Sequence, residues 1–389
     1  MSPLRYRLLQ RLRDDGPVSR AELAARLDVP RSRLAAELDT LTDDGLVREA
    51  GLAASRGGRR SPLIELDPGL RLAAVDLGAT SLDVEITNGS LETVAAYSEQ
   101  VDIGEGPRVL LRRVNDLLAK ARADGAYDRL LSIGIGIPGP VSFRDGVPIS
   151  PPIMPGWDHF PLRELLGRDH SCPVAVDNDV NIMAIGERHG GVARSVDTVL
   201  FVKIGTGIGC GIHIDGAMFR GPDGCAGDIG HIQVDPDGWP CSCGNTGCLE
   251  AHFGGAALTR DALAAARDHS SPALAARLAE HGTVTPLDVA EGAAAGDLAC
   301  IALIRDGGNR LGVVLAGLVS FINPSMIVIG GGLAGLGHVL LAEIRSVVYR
   351  RSLPMATGNL PVVLSELGPR AGVIGAAVLA SDLAYGQPL

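Results

Sequence analysis

The sequence predicts an α/β protein in two parts, a short helical N-terminal module and a longer module built on glycine-rich hairpins. Its 389 residues are enough for two or three domains with a sizeable core. Hydrophobic residues make up 46%, and the 51 glycines and 24 prolines stay below the level of low-complexity chains. Helical leucine spacing dominates the first 70 residues, whereas apolar strands alternate with glycine turns after them. We therefore expect an ordinary globular protein.

Charge is distributed unevenly along the chain. The net charge is −10, but residues 1–70 carry 12 arginines against 11 acidic residues. The total argues against a protein that binds nucleic acid or an anionic membrane with its whole surface, while the basic share lies at the N-terminus. Aromatic residues make up only 3%, which argues against stacking platforms for single-stranded nucleic acid. No basic segment with an apolar stretch opens the chain, and 311–322 is too short to cross a bilayer, so we expect a cytoplasmic protein without a membrane partner.

The first 45 residues predict three helices. Ser19 is a suitable N-cap for the second helix, Pro30 opens the third, and Gly45 ends it. Asp28 stands in the short link between the second and third helices, where a left-handed conformation is needed that Asp tolerates. The leucines that recur at helical spacing are Leu4, Leu8, Leu12, Leu23, Leu27, Leu34, Leu38 and Leu41.

Two strands, 46–49 and 63–66, enclose an arginine- and glycine-rich loop after these helices. The order of elements is that of a winged helix-turn-helix domain over residues 1–70, which ends at Asp67-Pro68-Gly69. The third helix would then enter the major groove of double-stranded DNA, and the wing would meet phosphates or a minor groove. A helical protein-interaction module is the alternative. The predicted DNA-binding residues are Arg31, Ser32 and Arg33 on the helix and Arg56, Arg59 and Arg60 on the wing.

Two glycine-rich turns in the longer module join apolar strands. The first, 76–80, connects strands 72–77 and 82–87, and the second, 205–211, connects strands 198–204 and 212–214. A strand follows each turn, which excludes a Walker A site. Backbone N–H groups and threonine hydroxyls of two such hairpins can wrap a polyphosphate while Asp76 holds Mg²⁺, directly or through water. Ordinary glycine turns are the alternative.

Two further strand ends differ in their chemistry. Residues 134–139 match the dinucleotide pattern GxGxxG, but Pro138 and Pro140 prevent the helix that a dinucleotide site needs. Residues 177–181, Asp-Asn-Asp-Val-Asn, follow the strand 174–176 and precede a helix. Such side chains can bind vicinal hydroxyls, and one carboxylate can take a hydroxyl proton during phosphoryl transfer, although acidic and amide clusters also cap loops.

A cysteine cluster gives the most specific signal in the chain. His231, Cys241, Cys243 and Cys248 supply one imidazole and three thiolates, the full tetrahedral set of a closed structural zinc site. Free or redox-active cysteines with an unrelated histidine are the alternative. The other cysteines, at 172, 210, 225 and 300, are expected to be buried small side chains. Asp228 and Glu250 flank the cluster, so zinc would draw two carboxylates and one imidazole edge toward a common pocket.

Together these segments resemble the ROK family of repressors, open reading frames and sugar kinases. The resemblance rests on 76–80, 134–140, 177–181, 205–211, 227–231, 241–250 and 323–332, in that order, and covers residues 71–389. It implies a two-lobed, actin-like ATPase fold for that module, with a zinc-binding segment at 231–250. The N-terminal winged helix resembles that of the ROK transcriptional repressors.

The resemblance also implies roles for individual residues. It assigns the catalytic base to Asp179, sugar binding to Asn178, Asp179, Asp228, His231 and Glu250, and zinc to His231, Cys241, Cys243 and Cys248. ATP phosphates would meet Asp76, Gly78, Thr80, Gly205, Thr206, Gly207 and Gly209, and adenosine would lie near 330–332. Three departures from the kinase pattern are Ala79 for a glycine, Asp228 for a glutamate, and Ile153 for a frequent asparagine. The methyl group of Ala79 keeps phosphate from approaching the backbone closely.

The sequence is compatible with three functions. The favoured one is a regulator, a homodimer or homotetramer whose winged helices grip operator DNA and whose ROK domain senses a sugar. An ATP-dependent hexokinase using Asp179 and Mg²⁺ is the second, and a zinc-stabilised scaffold that binds only protein is the third. Ala79 and Asp228 argue against efficient kinase chemistry, whereas Asp179 and the intact second turn argue for it.

Overall fold

The computed structural model describes residues 3–52 and 61–387. The chain divides into two compact units. The first comprises residues 1–149, 156–179 and 373–389, and the second comprises residues 150–155 and 180–372.

The N-terminal part of the first unit has the helices and the antiparallel sheet of a winged helix-turn-helix. Ser19 caps the second helix, accepting from the backbone N–H of Glu22 while the Glu22 carboxylate returns to Ser19, as a capping box does. Asp28 takes the left-handed conformation, with φ 52° and ψ 54°. The elements are α1 Pro3–Asp15, β1 Val18–Ser19, α2 Arg20–Leu27, α3 Arg31–Asp43, β2 Val47–Leu52 and β3 Pro62–Leu66, with strand order β1-β3-β2.

A five-stranded sheet forms the rest of the first unit. Its strands are β4 Leu72–Leu77, β5 Ser81–Thr87, β6 Thr93–Gln100, β7 Ile133–Ile137 and β10 Val174–Asn178, in the order β10-β7-β4-β5-β6. β5 pairs antiparallel with both β4 and β6. β7 runs parallel to β4, and β10 runs parallel to β7. The remaining elements are α4 Pro107–Ala123, the short pair β8 Val141–Ser142 and β9 Val147–Pro148, and α5 Leu162–His170.

The second unit repeats this sheet pattern. Three antiparallel strands, β11 Val199–Ile204, β12 Ile208–Ile214 and β13 Ala217–Phe219, are followed by the parallel strands β14 Met326–Gly330 and β15 Val362–Leu364. β12 begins at Ile208, four residues before the sequence-based expectation, because Gly209 and Gly211 leave room for Val180 and Ala184. The helices are α6 Asp179–Gly190, α7 Leu249–Phe253, α8 Gly255–Arg267, α9 Pro272–His281, α10 Pro286–Ala294, α11 Leu298–Ile322, α12 Gly337–Arg351 and α13 Pro354–Thr357.

The last helix, α14 Ala371–Tyr385, starts in the second unit and continues in the first. Its final residue, Tyr385, is fully buried in the leucine core of the helix-turn-helix, and the Tyr385 hydroxyl donates to the carbonyl oxygen of Gly89 at 2.6 Å. The N-terminal helices therefore share their core with the C-terminal end of the chain.

No helix within residues 3–52 and 61–387 combines the length and the apolar character needed to span a membrane. The longest, α11, carries Arg305, Asp306 and Arg310 in its first half.

Candidate functional site

Helix α3 presents a polar face to solvent. Leu34, Leu38 and Leu41 point into the core, while Arg31, Ser32 and Arg33 at the start of the helix are exposed. The helix has the position of a recognition helix, joined to α2 by the left-handed turn at Asp28. The wing arginines Arg56, Arg59 and Arg60 lie outside the described residues.

The first glycine turn lies in the first unit, at the end of β4. Asp76 is partly buried on that strand, opposite Asp83 of β5. The backbone N–H of Gly78 donates to the Ser81 carbonyl at 2.8 Å, which closes the hairpin, and Thr80 at its tip is exposed. The hairpin expected from the sequence is therefore confirmed, and Asp76 and Thr80 lie close along the chain at one end of the sheet.

Asn178 and Asp179 mark the end of β10 in the same unit. Asn178 is the last residue of the strand, and its amide Nδ2 donates to the carbonyl oxygen of Gly139 at 2.6 Å. Asp179 begins α6 and is 4% exposed. The strand extends two residues beyond the sequence-based expectation, so both side chains are held by regular structure and not by a loop.

The second glycine turn, in the second unit, borders a cavity of ≈ 720 Å³. Gly205 accepts from the backbone N–H of Gly255 at 2.9 Å, which brings the turn against the first residue of α8. Gly254 permits this approach, since a Cβ there would lie 3.0 Å from the Thr206 carbonyl oxygen. The cavity is lined by Gly205, Thr206, Gly255, Ala256, Thr259, Arg260, Leu263, Arg267, Pro286, Gly332 and Leu333.

The character of this cavity suits an anion. A helix N-terminus carries partial positive charge, and Arg267 and Arg260 line the wall, although the Arg260 guanidinium is paired with both carboxylate oxygens of Asp261 at 2.8 and 3.0 Å. The Arg260 guanidinium lies 4.4 Å from the ring centre of Trp239, which belongs to the loop before the cysteines. Sequence reasoning missed both arginines, although the Gly254-Gly255 pair before a helix was a signal for close approach at its N-terminus.

Three of the proposed sugar-binding side chains come together in the second unit. Asp228 Oδ1 lies 3.9 Å from His231 Nε2, and Glu250 Oε2 accepts from the backbone N–H of Ile208 at 3.1 Å. Burial raises the pKa of Asp228 and of Glu250. Gly207 lies directly under Glu250, since a Cβ there would be 2.6 Å from Glu250 Oε2. The arrangement offers two carboxylates and one imidazole edge to a polyhydroxylated ligand.

The cysteine cluster is assembled as the sequence predicts. The ligand atoms of His231, Cys241, Cys243 and Cys248 all lie within 4.8 Å of one another. Cys241 Sγ lies 3.5 Å from His231 Nδ1, and Cys243 Sγ lies 3.8 Å from Cys248 Sγ. Tetrahedral zinc with bonds of about 2.3 Å to sulfur and about 2.0 Å to nitrogen requires about 3.5 Å between a sulfur and a nitrogen ligand and about 3.8 Å between two sulfur ligands. The four residues therefore fit a zinc ion, with Nδ1 as the histidine ligand.

The other cysteines match their expectation with one exception. Cys172, Cys210 and Cys300 are buried, and burial raises the pKa of the Cys210 thiol to about 12. Cys225 is exposed, so the expectation that it is a buried small side chain is wrong. It lies in the turn-rich segment before Asp228, where Gly221 and Gly224 both take positive φ and turn the chain at the surface.

Comparison with known proteins gives two sequence matches to families. A model of the ROK family matches residues 72–383, and a helix-turn-helix domain model matches residues 1–50. The chain is 30% identical to the xylose repressor of Caldicellulosiruptor bescii, an alignment that covers 97% of this chain and 95% of that protein.

Solved structures give the same two kinds of relative. A ROK family transcriptional regulator, a homologue of the Escherichia coli MLC protein, superposes with a TM-score of 0.84 at 26% identity, covering 98% of this chain and 95% of that one. A ROK family glucokinase from Streptomyces griseus, solved with glucose and AMPPNP, gives a TM-score of 0.71 at 29% identity and covers 80% and 99%. The α/β fold is thus that of a helix-turn-helix followed by the actin-like kinase fold of these neighbours.

Proposed function

Since this chain belongs to the ROK family and begins with a helix-turn-helix, we propose that it is a DNA-binding transcriptional repressor whose ROK domain responds to a sugar. One observation carries this proposal. The similarity to the xylose repressor covers 97% of the chain, so a single relative matches both the helix-turn-helix and the sugar-kinase-like part. If the protein were only a sugar kinase, the N-terminal 70 residues, which carry the recognition helix, would have no role.

DNA contact is assigned to α3. Its exposed first turn carries two arginines and a serine, and arginine in a major groove makes bidentate hydrogen bonds to guanine. We assign Arg31, Ser32 and Arg33 to the groove and Arg56, Arg59 and Arg60 of the wing to phosphates. Residues 1–70 carry 12 arginines against 11 acidic residues, so this small patch is the electrostatic footprint of the interface.

Sugar contact is assigned to Asn178, Asp179, Asp228, His231 and Glu250. Carboxylate, amide and imidazole groups are the hydrogen-bonding partners that sugar hydroxyls need, and hydrogen bonds to charged groups are the stronger ones. The arrangement of Asp228, His231 and Glu250 within the second unit supports this assignment.

Zinc is assigned to His231, Cys241, Cys243 and Cys248. Four protein ligands complete the tetrahedron, so the ion would supply structural stability and not activate water. With Nδ1 toward the thiols, His231 presents Nε2 on the side of Asp228. The site therefore orients a sugar-binding group.

The remaining assignments follow from this role. We propose a DNA-binding domain at 1–70, a sugar-sensing domain at 71–389, and a homodimer or homotetramer, because paired half-sites are read by symmetric proteins. We propose a cytoplasmic location, because a regulator that binds DNA acts where the genome is.

An ATP-dependent sugar kinase is the second candidate, and the cavity beside Gly205 and Thr206 favours it. Its glycine-lined wall, α8 N-terminus and arginines suit the phosphates of a nucleotide. Asp76, Gly78 and Thr80 in the first unit and Gly205, Thr206, Gly207 and Gly209 in the second are the assigned phosphate-binding residues. Asp179 would accept the proton of the attacking sugar hydroxyl. Gly209 lies inside β12, opposite Lys203 of β11.

The two candidates separate in one pair of assays on the purified full-length chain. Selection from a random library of DNA duplexes is expected to enrich a recurring sequence with the wild-type chain and not with Arg31→Ala/Arg33→Ala. Absence of enrichment, with ATP-dependent glucose phosphorylation at about 1 to 100 s⁻¹ that is abolished in Asp179→Asn, would overturn the repressor assignment in favour of a kinase.

A further inference from the structure

Arg13 of α1 is a buried arginine whose partners lie at the other end of the chain. Its side chain is 3% exposed, and Nη1 donates to Ser381 Oγ at 2.6 Å and to Asp382 Oδ1 at 2.7 Å. Nε donates to Asp14 Oδ1 at 2.7 Å. These contacts all lie within the first unit, and they attach the first helix of the helix-turn-helix to α14.

The opposite face of α14 is fixed to the sheet. Ser132 Oγ, just before β7, donates to the Ala380 carbonyl oxygen at 2.7 Å. Gly134 of β7 meets the same helix so closely that a Cβ would lie 2.1 Å from the Ala376 carbonyl oxygen. β7 and α14 thus pack backbone against backbone with no side chain between them, an arrangement that leaves little room for either to move alone.

β7 also connects α14 to the assigned sugar-binding residues of the first unit. β10 pairs with β7 over its whole length, so that Val174 lies opposite Ile133 and Asn178 opposite Ile137. Asn178 donates to the carbonyl of Gly139, two residues after β7. A continuous path of strand pairing, close packing and side-chain hydrogen bonds runs from Asn178 through β7 and α14 to Arg13, entirely within the first unit.

The polar character of the α1–α14 contact is informative. Apolar residues of similar volume hold two helices together at least as well as a buried ion pair, so stability alone does not explain Arg13. A guanidinium that must satisfy Asp14, Ser381 and Asp382 together accepts one relative position of the two helices.

We propose that Arg13 is a positioning residue that registers the helix-turn-helix on α14, so that sugar binding beside β10 changes the affinity for DNA. The inference rests on the proposed function and deepens it by naming the contact through which the sugar acts. Arg13 touches neither DNA nor sugar in this account. Arg13 determines whether a shift of α14 also moves the helix-turn-helix.

The test compares Arg13→Gln with Arg11→Gln in the full-length chain. Arg11 lies on the same helix, is 51% exposed and pairs only weakly with Asp15 at 3.7 Å, so it is a matched control. Three dissociation constants are measured for each protein: the sugar alone, a duplex selected by the wild-type chain alone, and the duplex at saturating sugar. The ratio of the two duplex constants is the response.

We expect a wild-type response of about 10-fold or more, retained in Arg11→Gln and reduced below about 3-fold in Arg13→Gln, with sugar affinity within about twofold of wild type. The exchanged pair Arg13→Asp/Asp382→Arg is expected to recover part of the response. If Arg13→Gln does not fold, Ser381→Ala, which removes one acceptor of the same guanidinium, is measured instead and is expected to reduce the response.

Two results overturn the inference. One is a full response in Arg13→Gln or, where that variant does not fold, in Ser381→Ala. The other is a loss of sugar affinity equal to the loss of response, which indicates general damage. A wild-type chain that binds no DNA or shows no response is a different outcome, since it contradicts the proposed function before any variant is compared.

Discussion

Nδ1 of His231 lies 3.5 Å from Sγ of Cys241, so one ring nitrogen faces the thiols while the other lies near Asp228. One imidazole thus belongs to the candidate metal site and to the candidate sugar site. Metal and sugar binding are expected to depend on each other through this ring.

Removal of a cluster thiol tests this dependence. We expect one zinc ion per wild-type chain by elemental analysis, and less than half of that in Cys243→Ser. Sugar affinity of the variant should fall by about 10-fold or more, since an unligated His231 ring is free to turn. Cys225→Ser, which alters an exposed cysteine outside the cluster, is the matched control. Normal sugar binding by a zinc-free Cys243→Ser protein would contradict the structural role.

Neutralising Glu250 tests the sugar assignment. Glu250→Gln keeps the size of the side chain and removes the charge, so sugar affinity should fall by about 10- to 100-fold, the usual strength of a hydrogen bond to a charged group. DNA binding without sugar should stay unchanged. Isothermal titration with monosaccharides measures the first and duplex titration the second. Glu280→Gln, an exposed residue of α9, serves as the control, and equal sugar affinity in both variants would exclude Glu250 from the site.

Truncation of the α3 arginines tests the DNA assignment. Arg31→Ala and Arg33→Ala should each weaken binding to a selected duplex by about 5- to 150-fold if they read bases, and relax the preference at one position of the duplex. Arg108→Ala makes the same charge change on the exposed side of α4 and should leave affinity within about twofold. An effect of Arg108→Ala as large as that of the α3 variants would point to general charge attraction instead.

The buried His213 should make the stability of the fold sensitive to acid. Burial, with Arg188 and Arg220 nearby, lowers the pKa of His213 from 6.5 to about 4. The unfolded chain therefore takes up a proton here below pH 6.5, while the folded chain does so only near pH 4. The stability contributed by neutral His213 is present above pH 6.5 and decreases as the pH falls toward 4, by about 2 kcal/mol at about pH 5.

Melting temperatures at about pH 7 and about pH 5 check this prediction. The decrease between the two should be smaller in His213→Phe than in the wild-type chain, because phenylalanine does not titrate. Equal decreases in both proteins would mean that other groups account for the acid sensitivity.

Local signals made much of the fold predictable. Ser19 and Glu22 lie three residues apart, and Asp28 is one of few residues that tolerate φ 52°, so cap and turn could be read from the chain. The cysteine cluster was equally local, since three of its four ligands fall within eight residues. Both predictions agree with the structure.

Contacts between residues that are distant along the chain could not be predicted from local sequence patterns. Arg13 and Asp382 are 369 positions apart, and neither residue type nor spacing indicates that they pair. Arg260 and Arg267 looked like ordinary helix arginines, and only the packing of α8 against the turn at Gly205 brings them to a cavity. The start of β12 at Ile208 was missed because two of its first four residues are glycines, which favour turns when judged alone.

The central claim is that a sugar changes the affinity of this chain for DNA. The direct measurement is the titration of a fluorescent duplex, selected by the wild-type chain, with and without each of a panel of monosaccharides that includes xylose and glucose. We expect that at least one sugar that binds the protein changes the duplex dissociation constant by about 10-fold or more. Sugars that bind, as detected by thermal shift, but leave the duplex dissociation constant unchanged would contradict it.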